Sequence, residues 1–387
     1  MTTTLSGTSL LESTEQLAPL IREYADFADQ NGKLAPEVFD GMMDAGLFGI
    51  WTPESLGGSE TDPLTSLKLN EMVAYEDAAA GWYLFVVAVG TGTVGTYLPD
   101  AGAEEVFAGE RLPVVVGQGT RAGKAIKVDG GYQLDGEWNF ASGAPHADSF
   151  IALAIVEGTE EARIFVVPRD EVELDFDSWG VLGLRGTGSI DYQIRDKFVP
   201  ADRSYRAVPE IPARGGALMK LGLVQTAMIG HTGWALGVGR RLLDELSALI
   251  RKKAGRAGAN AGSDSLHEQY ANAEATLRSA RALAYETWAE AWETLSSGAD
   301  LSTHQSSLIR LALNNATWSA DKVGKFVYTA AGTSALRDGT IQRFYRDLHG
   351  GTQHIMSGPA VLRHVGRDLA GVAEGQIWVY ADLVDPR

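Results

Sequence analysis

The hydrophobic period of this chain changes twice, and that order restricts the fold more than any single motif does. Over the first part apolar residues recur at helical spacing: Leu17, Ile21, Tyr24 and Phe27 share a stripe, and PEVFDGMMDAGLFGI predicts an amphipathic helix ending near Gly46. The pattern then shifts to the short runs PVVVG, KAIKV, SFIALAIV, RIFVVP and SIDYQI, separated by Gly, Asp and Asn turns. These predict strands closing into a small barrel or sandwich. Helical stripes return from about residue 215, with Leu266, Tyr270, Ala273, Leu277 and Ala280 along one face. The expected fold is α+β and mainly α, with a helical part over 1–110, a β-barrel over 111–208 and a helical part over 209–387. No repeat, low-complexity tract or long linker divides it further.

Composition narrows the chemistry. A chain of 387 residues, 45% hydrophobic, can bury a sizeable core. Its formal charge of −17 argues against nucleic acid or an anionic membrane surface as partner, and solubility accounts for the acidity. The absence of cysteine excludes disulfides, thiolate nucleophiles and iron–sulfur clusters, and leaves any zinc site to His and carboxylates; no metal site is expected. The N-terminal MTTTLSGTSLLESTEQ lacks the basic start and apolar run of a signal peptide. WYLFVVAV at 82–89 falls short of the roughly 20 residues that span a bilayer. A cytoplasmic location is the expectation.

Four stretches carry candidate chemistry. In GEWNFASGAPHAD, 136–148, a strand end presents Trp138, Asn139 and Phe140 beside Ser142, which suits a planar cofactor; a core tryptophan and a turn serine explain the same letters. In DSWGVLGLRGTGSIDY, 177–192, Arg185 precedes Thr187, Gly188 and Ser189, a wall for a phosphate or a flavin's polar edges, or else a hairpin with a solvated arginine. It is no Walker loop, since Gly-Lys-Ser/Thr is missing. In AAAGWYLFVVAVG, 78–90, Trp82, Tyr83 and Phe85 could wall a substrate pocket or pack between helices. In RDLHGGTQHIMSG, 346–358, two of the chain's seven histidines, His349 and His354, flank a Gly-Gly pair that reads as a bend; imidazoles there could move a proton at neutral pH.

Taken together, these segments resemble the acyl-CoA dehydrogenase superfamily over nearly the whole chain. LAPEVFDGMMDAGLFGIWTPESLGG is similar to its N-terminal signature, and GEWNFASG to its flavin-facing tryptophan segment. WGVLGLRGTGSIDYQIRDKFVP is similar to its strand-rich module, and RKKAGR with YTAAGTSALRDGTIQRFYRDLHGGTQH to its two C-terminal landmarks. The resemblance implies an N-terminal helical domain, a central β-barrel and a C-terminal four-helix bundle, assembled as a homotetramer or homodimer.

Two departures narrow the resemblance. The dehydrogenases remove an α-proton with a carboxylate in Tyr-Glu-Gly-Thr, whereas this chain has His349-Gly350-Gly351-Thr352, with glycine in the base's place. Lys253 and Ala254 replace Gln and Phe of an Arg-x-Gln-Phe-Gly segment that meets FAD, and YTAAG replaces a Gly-Gly segment. This leaves FAD or FMN open, with Arg251, Lys252 and Arg256 able to meet phosphates. Both departures are familiar in the two-component flavin-dependent monooxygenases. That branch implies a separate NAD(P)H:flavin reductase, reduced flavin, molecular oxygen and a flavin C4a-hydroperoxide. It also implies roles: Ser142 supporting the flavin N5 or peroxide side, Trp138 lining the isoalloxazine, Gly351 and Thr352 at the cofactor, and His354 and His349 activating substrate or polarising the peroxide. The expected substrate is a large, apolar, aromatic small molecule, such as an indole-bearing or polycyclic natural-product intermediate. The alternatives are a dehydrogenase-like flavoprotein and a non-catalytic scaffold of the same fold.

Overall fold

Short polar caps set the first helices. In the computed structural model, which describes residues 6–208, 211–253 and 263–386, the Ser6 side chain accepts from Ser9 N at 3.2 Å and opens α1 (Gly7–Glu23). Leu10, Thr14, Leu17 and Ile21 form its buried face. The predicted stripe then breaks at Tyr24, and Phe27 belongs to a separate α2 (Ala25–Asn31), closed by Gly32 in the left-handed region at φ 64°. The predicted PEVFDGMMD helix is α3 (Pro36–Asp44), with Gly46 at φ 73° just beyond it. There follow α4 (Pro63–Glu76), α5 (Ala78–Tyr97) and α6 (Asp100–Val106). Asp77 Oδ2 accepts from Ala80 N at 3.0 Å and so starts α5.

The middle of the chain, where strands were expected, forms one seven-stranded sheet. Its strands are β1 (Val115–Val128), β2 (Gly131–Ala141), β3 (Ser149–Val156), β4 (Ala162–Pro168), β5 (Glu173–Asp175), β6 (Ile190–Pro200) and β7 (Ser204–Arg206). They lie in the order β5-β6-β2-β1-β3-β4-β7, with β1 and β3 parallel and the other pairs antiparallel. The outermost strands, β5 and β7, are three residues each, and the Trp138 and Tyr192 side chains of β2 and β6 donate across to Leu153 O and Ile151 O of β3. The C-terminal half of α5 lies on this sheet. Val94, Tyr97 and Leu98 pack with Val115, Ile151, Ile164, Val166 and Tyr205, all buried.

Beyond the sheet come α7 (Gly222–Lys253), α8 (Asp264–Ser296), α9 (Thr303–Ala331), α10 (Thr340–Thr352), α11 (Pro359–Leu369) and a hairpin of β8 (Ile377–Val379) and β9 (Asp382–Val384). The α8 stripe is buried from Ala273 onward through Leu277, Ala280, Ala284 and Trp288. Ser302 and Gln305 close a reciprocal capping box on α9.

By contact the chain divides into two compact units. One holds the described residues up to Asp62, Trp82–Val181 and Arg185–Ala227. The other holds Pro63–Gly81, Leu182–Leu184 and the described residues from Met228 onward. Within the second, Arg281 grips both oxygens of Glu71 at 2.8 and 3.1 Å, tying α8 to α4. At 20 residues, α5 is long and apolar enough by length and composition to cross a membrane, longer than the run read from sequence, yet nearly all of it is buried inside the protein.

Candidate active site

In the sheet-bearing unit, the end of β2 turns one aromatic outward and one hydroxyl inward. Phe140 adopts φ 61°, a conformation non-glycine residues rarely take, and its side chain is 57% exposed. Ser142, two residues on, is buried. Its Oγ lies 2.6 Å from Ser189 Oγ, which lies 2.6 Å from Thr187 Oγ1. Gly143 N donates to Thr187 O at 2.8 Å, so the two sequence-predicted segments are fastened side by side. A hydroxyl can both donate and accept, so in each of the two pairs either oxygen can be the donor.

The other predicted residues of this unit divide. Trp138 is buried, stacks on Tyr192 at 5.5 Å and donates its indole N–H to Leu153 O, so both ring face and donor are committed within the sheet. The exposed aromatic surface at this strand end is Phe140 with Trp179 set edge-on at 6.2 Å. Asn139 Oδ1 accepts from Gln118 Nε2 at 3.2 Å. Arg185 is exposed, and its carbonyl accepts from Trp179 Nε1. Gly188 sits at φ 54°, where an added Cβ would lie 2.7 Å from Gly32 O. Trp82 and Phe85 pack edge to face at 4.9 Å and are buried. Tyr83 reaches the Ser142 turn: a Cβ on Gly143 would lie 3.4 Å from Tyr83 Cζ.

Sequence reasoning gave no role to His146, which lies in the 3-10 turn Ala144–His146. Its ring stacks on Phe39 at 4.4 Å and 9° and meets Tyr83 edge-on at 5.9 Å. Burial lowers its pKa to about 4, with Lys33 adding to the effect. Among the described residues, His146 Nδ1 and the fully buried Tyr83 Oη have no hydrogen-bond partner.

In the helical unit, the Gly-Gly pair is not a bend. Helix α10 runs through both glycines to Thr352. The reason is close packing: a Cβ on Gly351 would stand 2.0 Å from the Trp234 ring, whereas one on Gly350 would meet only ordinary contacts at 3.5 Å. The turn follows, with His354 as the N-cap of a 3-10 turn over Ile355–Ser357. Thr352 Oγ1 donates to His349 O. Arg346 and Asp347 hold a distant loop: Asp347 Oδ1 accepts from Leu184 N at 2.6 Å, and Arg346 donates to Leu182 O at 3.0 Å.

The two predicted histidines occupy different surroundings. His349 lies on Tyr345 at 4.4 Å, with its Nδ1 3.9 Å from Asp321 Oδ1. His354 meets His231 of α7, ring centroids 4.9 Å apart at 85°. Its Nδ1 accepts from Met356 N at 3.3 Å, which assigns the proton of the neutral ring to Nε2. Burial depresses the His354 pKa to about 4, so the ring is neutral at neutral pH instead of poised near 6.5. His231, 1% exposed, has its pKa pushed well below 6.5 by burial and then by His354. The signal for it was GHTGW, a histidine three residues from a tryptophan within an apolar helix stripe. Arg251, in the last turn of α7, donates to Ser247 Oγ at 2.6 Å; Arg256 and Ala254 lie outside the described residues.

An outward aromatic, a buried hydroxyl run and an exposed guanidinium fit a planar ring system with polar edges and a phosphate tail. The sequence models described as "Acyl-CoA dehydrogenase, N-terminal domain" and "Acyl-CoA dehydrogenase, C-terminal domain" match residues 13–107 and 229–359. Together these span more than half of the chain, which belongs to the acyl-CoA dehydrogenase family. It is 27% identical to the flavin-dependent monooxygenase, oxygenase subunit HsaA, of Mycobacterium tuberculosis, over 91% of this chain and 92% of that one. It is 28% identical to the indole-3-acetate monooxygenase of Pseudomonas putida, over 87% of each. The crystal structure of 3-HSA hydroxylase from Rhodococcus sp. RHA1 shares the fold with a TM-score of 0.88 at 23% identity, covering 97% of this chain and 99% of that one.

Proposed function

We propose that this chain is the oxygenase component of a two-component system, taking reduced FAD or FMN from a separate NAD(P)H:flavin reductase and hydroxylating an apolar aromatic small molecule. The observation that carries the reading is the Ser142, Ser189 and Thr187 hydroxyl run beside outward-facing Phe140. When bound, reduced flavin supplies the activation of dioxygen and the transfer of one oxygen atom. Ser142 donates its hydroxyl proton at the polar edge of the ring system, and Phe140 offers an apolar face to it. Buried Trp138 supports the strand from within the sheet.

His354 is neutral and keeps its proton at Nε2, so it serves as a hydrogen-bond donor to the reacting oxygen or to the substrate. A dehydrogenase would need a carboxylate near position 350, where this chain has glycine. The relatives that act on indole-3-acetate and related rings support an aromatic substrate, as does buried Tyr83 beside the Ser142 turn.

The test supplies the purified protein with chemically reduced FAD or FMN, isotopically labelled dioxygen and a panel of indoles, phenols and polycyclic aromatics. Label in an organic product supports the reading. Oxidation of a substrate with no label incorporated, or no flavin-dependent turnover across the panel, overturns it.

A further inference from the structure

We infer that Asp321 is the positioning residue of His349: its carboxylate holds the imidazole proton at Nδ1 and leaves Nε2 as the nitrogen that accepts a proton. The catalytic use of that nitrogen rests on the functional reading above, whereas the placement of the proton does not.

The pair lies in the seam between α9 and α10, within the helical unit. Helical spacing puts Asp321, Lys325 and Tyr328 on one face of α9, and Tyr345 and His349 on one face of α10. Across the seam they form a single run. Tyr328 stacks on Tyr345 with ring centroids 4.3 Å apart at 15°, Tyr345 lies 4.4 Å from the His349 ring, and His349 Nδ1 stands 3.9 Å from Asp321 Oδ1. The other carboxylate oxygen, Oδ2, accepts from Lys325 Nζ at 2.7 Å.

Asp321 is 6% exposed, and a carboxylate kept from water requires charge or donors close to it. Lys325 serves one oxygen, and His349 Nδ1 is turned to the other. On the His349 side, Nδ1 is buried without a hydrogen-bond partner although the side chain as a whole is 32% exposed. Solvent therefore reaches the imidazole but not this nitrogen. A separation of 3.9 Å is too long for a hydrogen bond, so the carboxylate acts through its charge, which burial keeps from being screened. A negative oxygen there favours a proton on Nδ1 over a bare lone pair. Asp321 and, behind it, Lys325 are the charged groups that α9 turns toward the ring, and Tyr345 is the titratable group that its own helix sets against it. With a phenol or indole substrate, the O–H or N–H bond breaks, an Nε2–H bond forms, and Asp321 balances the resulting imidazolium until water takes the proton.

The test is a long-range proton–nitrogen correlation spectrum of the full-length protein without flavin, at alkaline pH where imidazoles are neutral, with the His349 signals identified by their loss in His349→Gln. The unmodified protein is expected to show the Nδ1–H tautomer. In Asp321→Leu the proton should move to Nε2; in Asp321→Glu, which keeps a carboxylate within reach of Nδ1, it should stay on Nδ1. With reduced flavin and an accepted phenol or indole, Asp321→Leu should lower kcat for product several-fold and leave flavin affinity unchanged, and Asp321→Glu should restore the rate. A merely structural contact would move neither the tautomer nor its rescue. An Nε2–H or averaged ring in the unmodified protein overturns the inference without needing any variant to fold, as does an Nδ1–H ring retained in folded Asp321→Leu. An undiminished kcat in folded Asp321→Leu overturns the proton-accepting role. Absence of labelled product with the unmodified protein would instead remove the functional reading while the tautomer result stood.

Discussion

Ser142 and Ser189 are 47 positions apart in sequence, and their hydroxyl oxygens lie 2.6 Å apart in a buried pair that Thr187 extends. Ser189 is the partner of Ser142 on one side and of Thr187 on the other, and in each pair either oxygen can donate. Replacing Ser189 with Ala removes that partner without touching Ser142. A net hydrogen bond of about 1 kcal/mol corresponds to roughly fivefold. Hydrogen peroxide released per dioxygen consumed should rise about that much in Ser189→Ala and at least as much in Ser142→Ala, measured with reduced flavin and an accepted aromatic substrate. Unchanged coupling in both variants would count against the assignment.

The two adjacent glycines of α10 should respond oppositely to alanine. Gly351→Ala drives a methyl into the Trp234 ring, with 2.0 Å available, and should destabilise by about 3 kcal/mol. Gly350→Ala meets contacts at 3.5 Å inside a helix and should stabilise by about 0.5 to 1 kcal/mol. Urea midpoints of the two variants check this, and equal effects would show that the helix does not pack as described.

Much of this organisation was legible in the sequence, and the failures have identifiable causes. The switch from helical to alternating patterning located the strands, and the Ser142 and Thr187–Ser189 segments were marked before their contact was known. Patterning located strands but not their order, because the pairing of β2 with β6 and of β1 with β3 is set by contacts far apart in sequence. Gly350-Gly351 read as a bend since local propensity disfavours glycine in helices; the tertiary requirement, Trp234 lying 117 positions before Gly351, leaves no mark next to it. Trp138 and Phe140 differ by two positions and would be expected on the same face of a regular strand, yet the positive φ at Phe140 turns it outward. His231 was passed over because a lone histidine in an apolar stripe looks like core until its neighbour across the fold is known.

Three buried histidines should make the protein acid-labile. Burial holds the pKa of His146 and of His354 at about 4 and that of His231 well below 6.5. These values lie below the unfolded value near 6.5, so between there and about pH 4 the unfolded chain binds protons that the folded chain does not. Stability conferred by the neutral rings is complete above pH 6.5 and is lost as pH falls. For His231, 1% exposed, the slope approaches about 1.4 kcal/mol per pH unit; partly exposed His146 and His354 contribute less. Urea unfolding followed from about pH 7 to pH 5 should show this decline, flattened in His231→Leu. A pH-independent midpoint would mean that these rings are solvated.

The Tyr83 hydroxyl separates a packing role from a binding role. It is fully buried, has no hydrogen-bond partner among the described residues, and stays protonated because burial raises its pKa well above 10. An unsatisfied buried hydroxyl costs about 1 to 3 kcal/mol, so Tyr83→Phe should raise stability by about that amount. If the same hydroxyl donates to a polar group of the bound substrate, the variant trades affinity for that gain, and the apparent substrate Kd should rise by roughly five- to tenfold at unchanged flavin affinity. Thermal unfolding and substrate titration on the same preparations read the two effects separately. A stability gain with unaltered substrate binding would make Tyr83 a core residue under the Ser142 turn. A stability loss would show that its hydroxyl already has a partner in the folded protein.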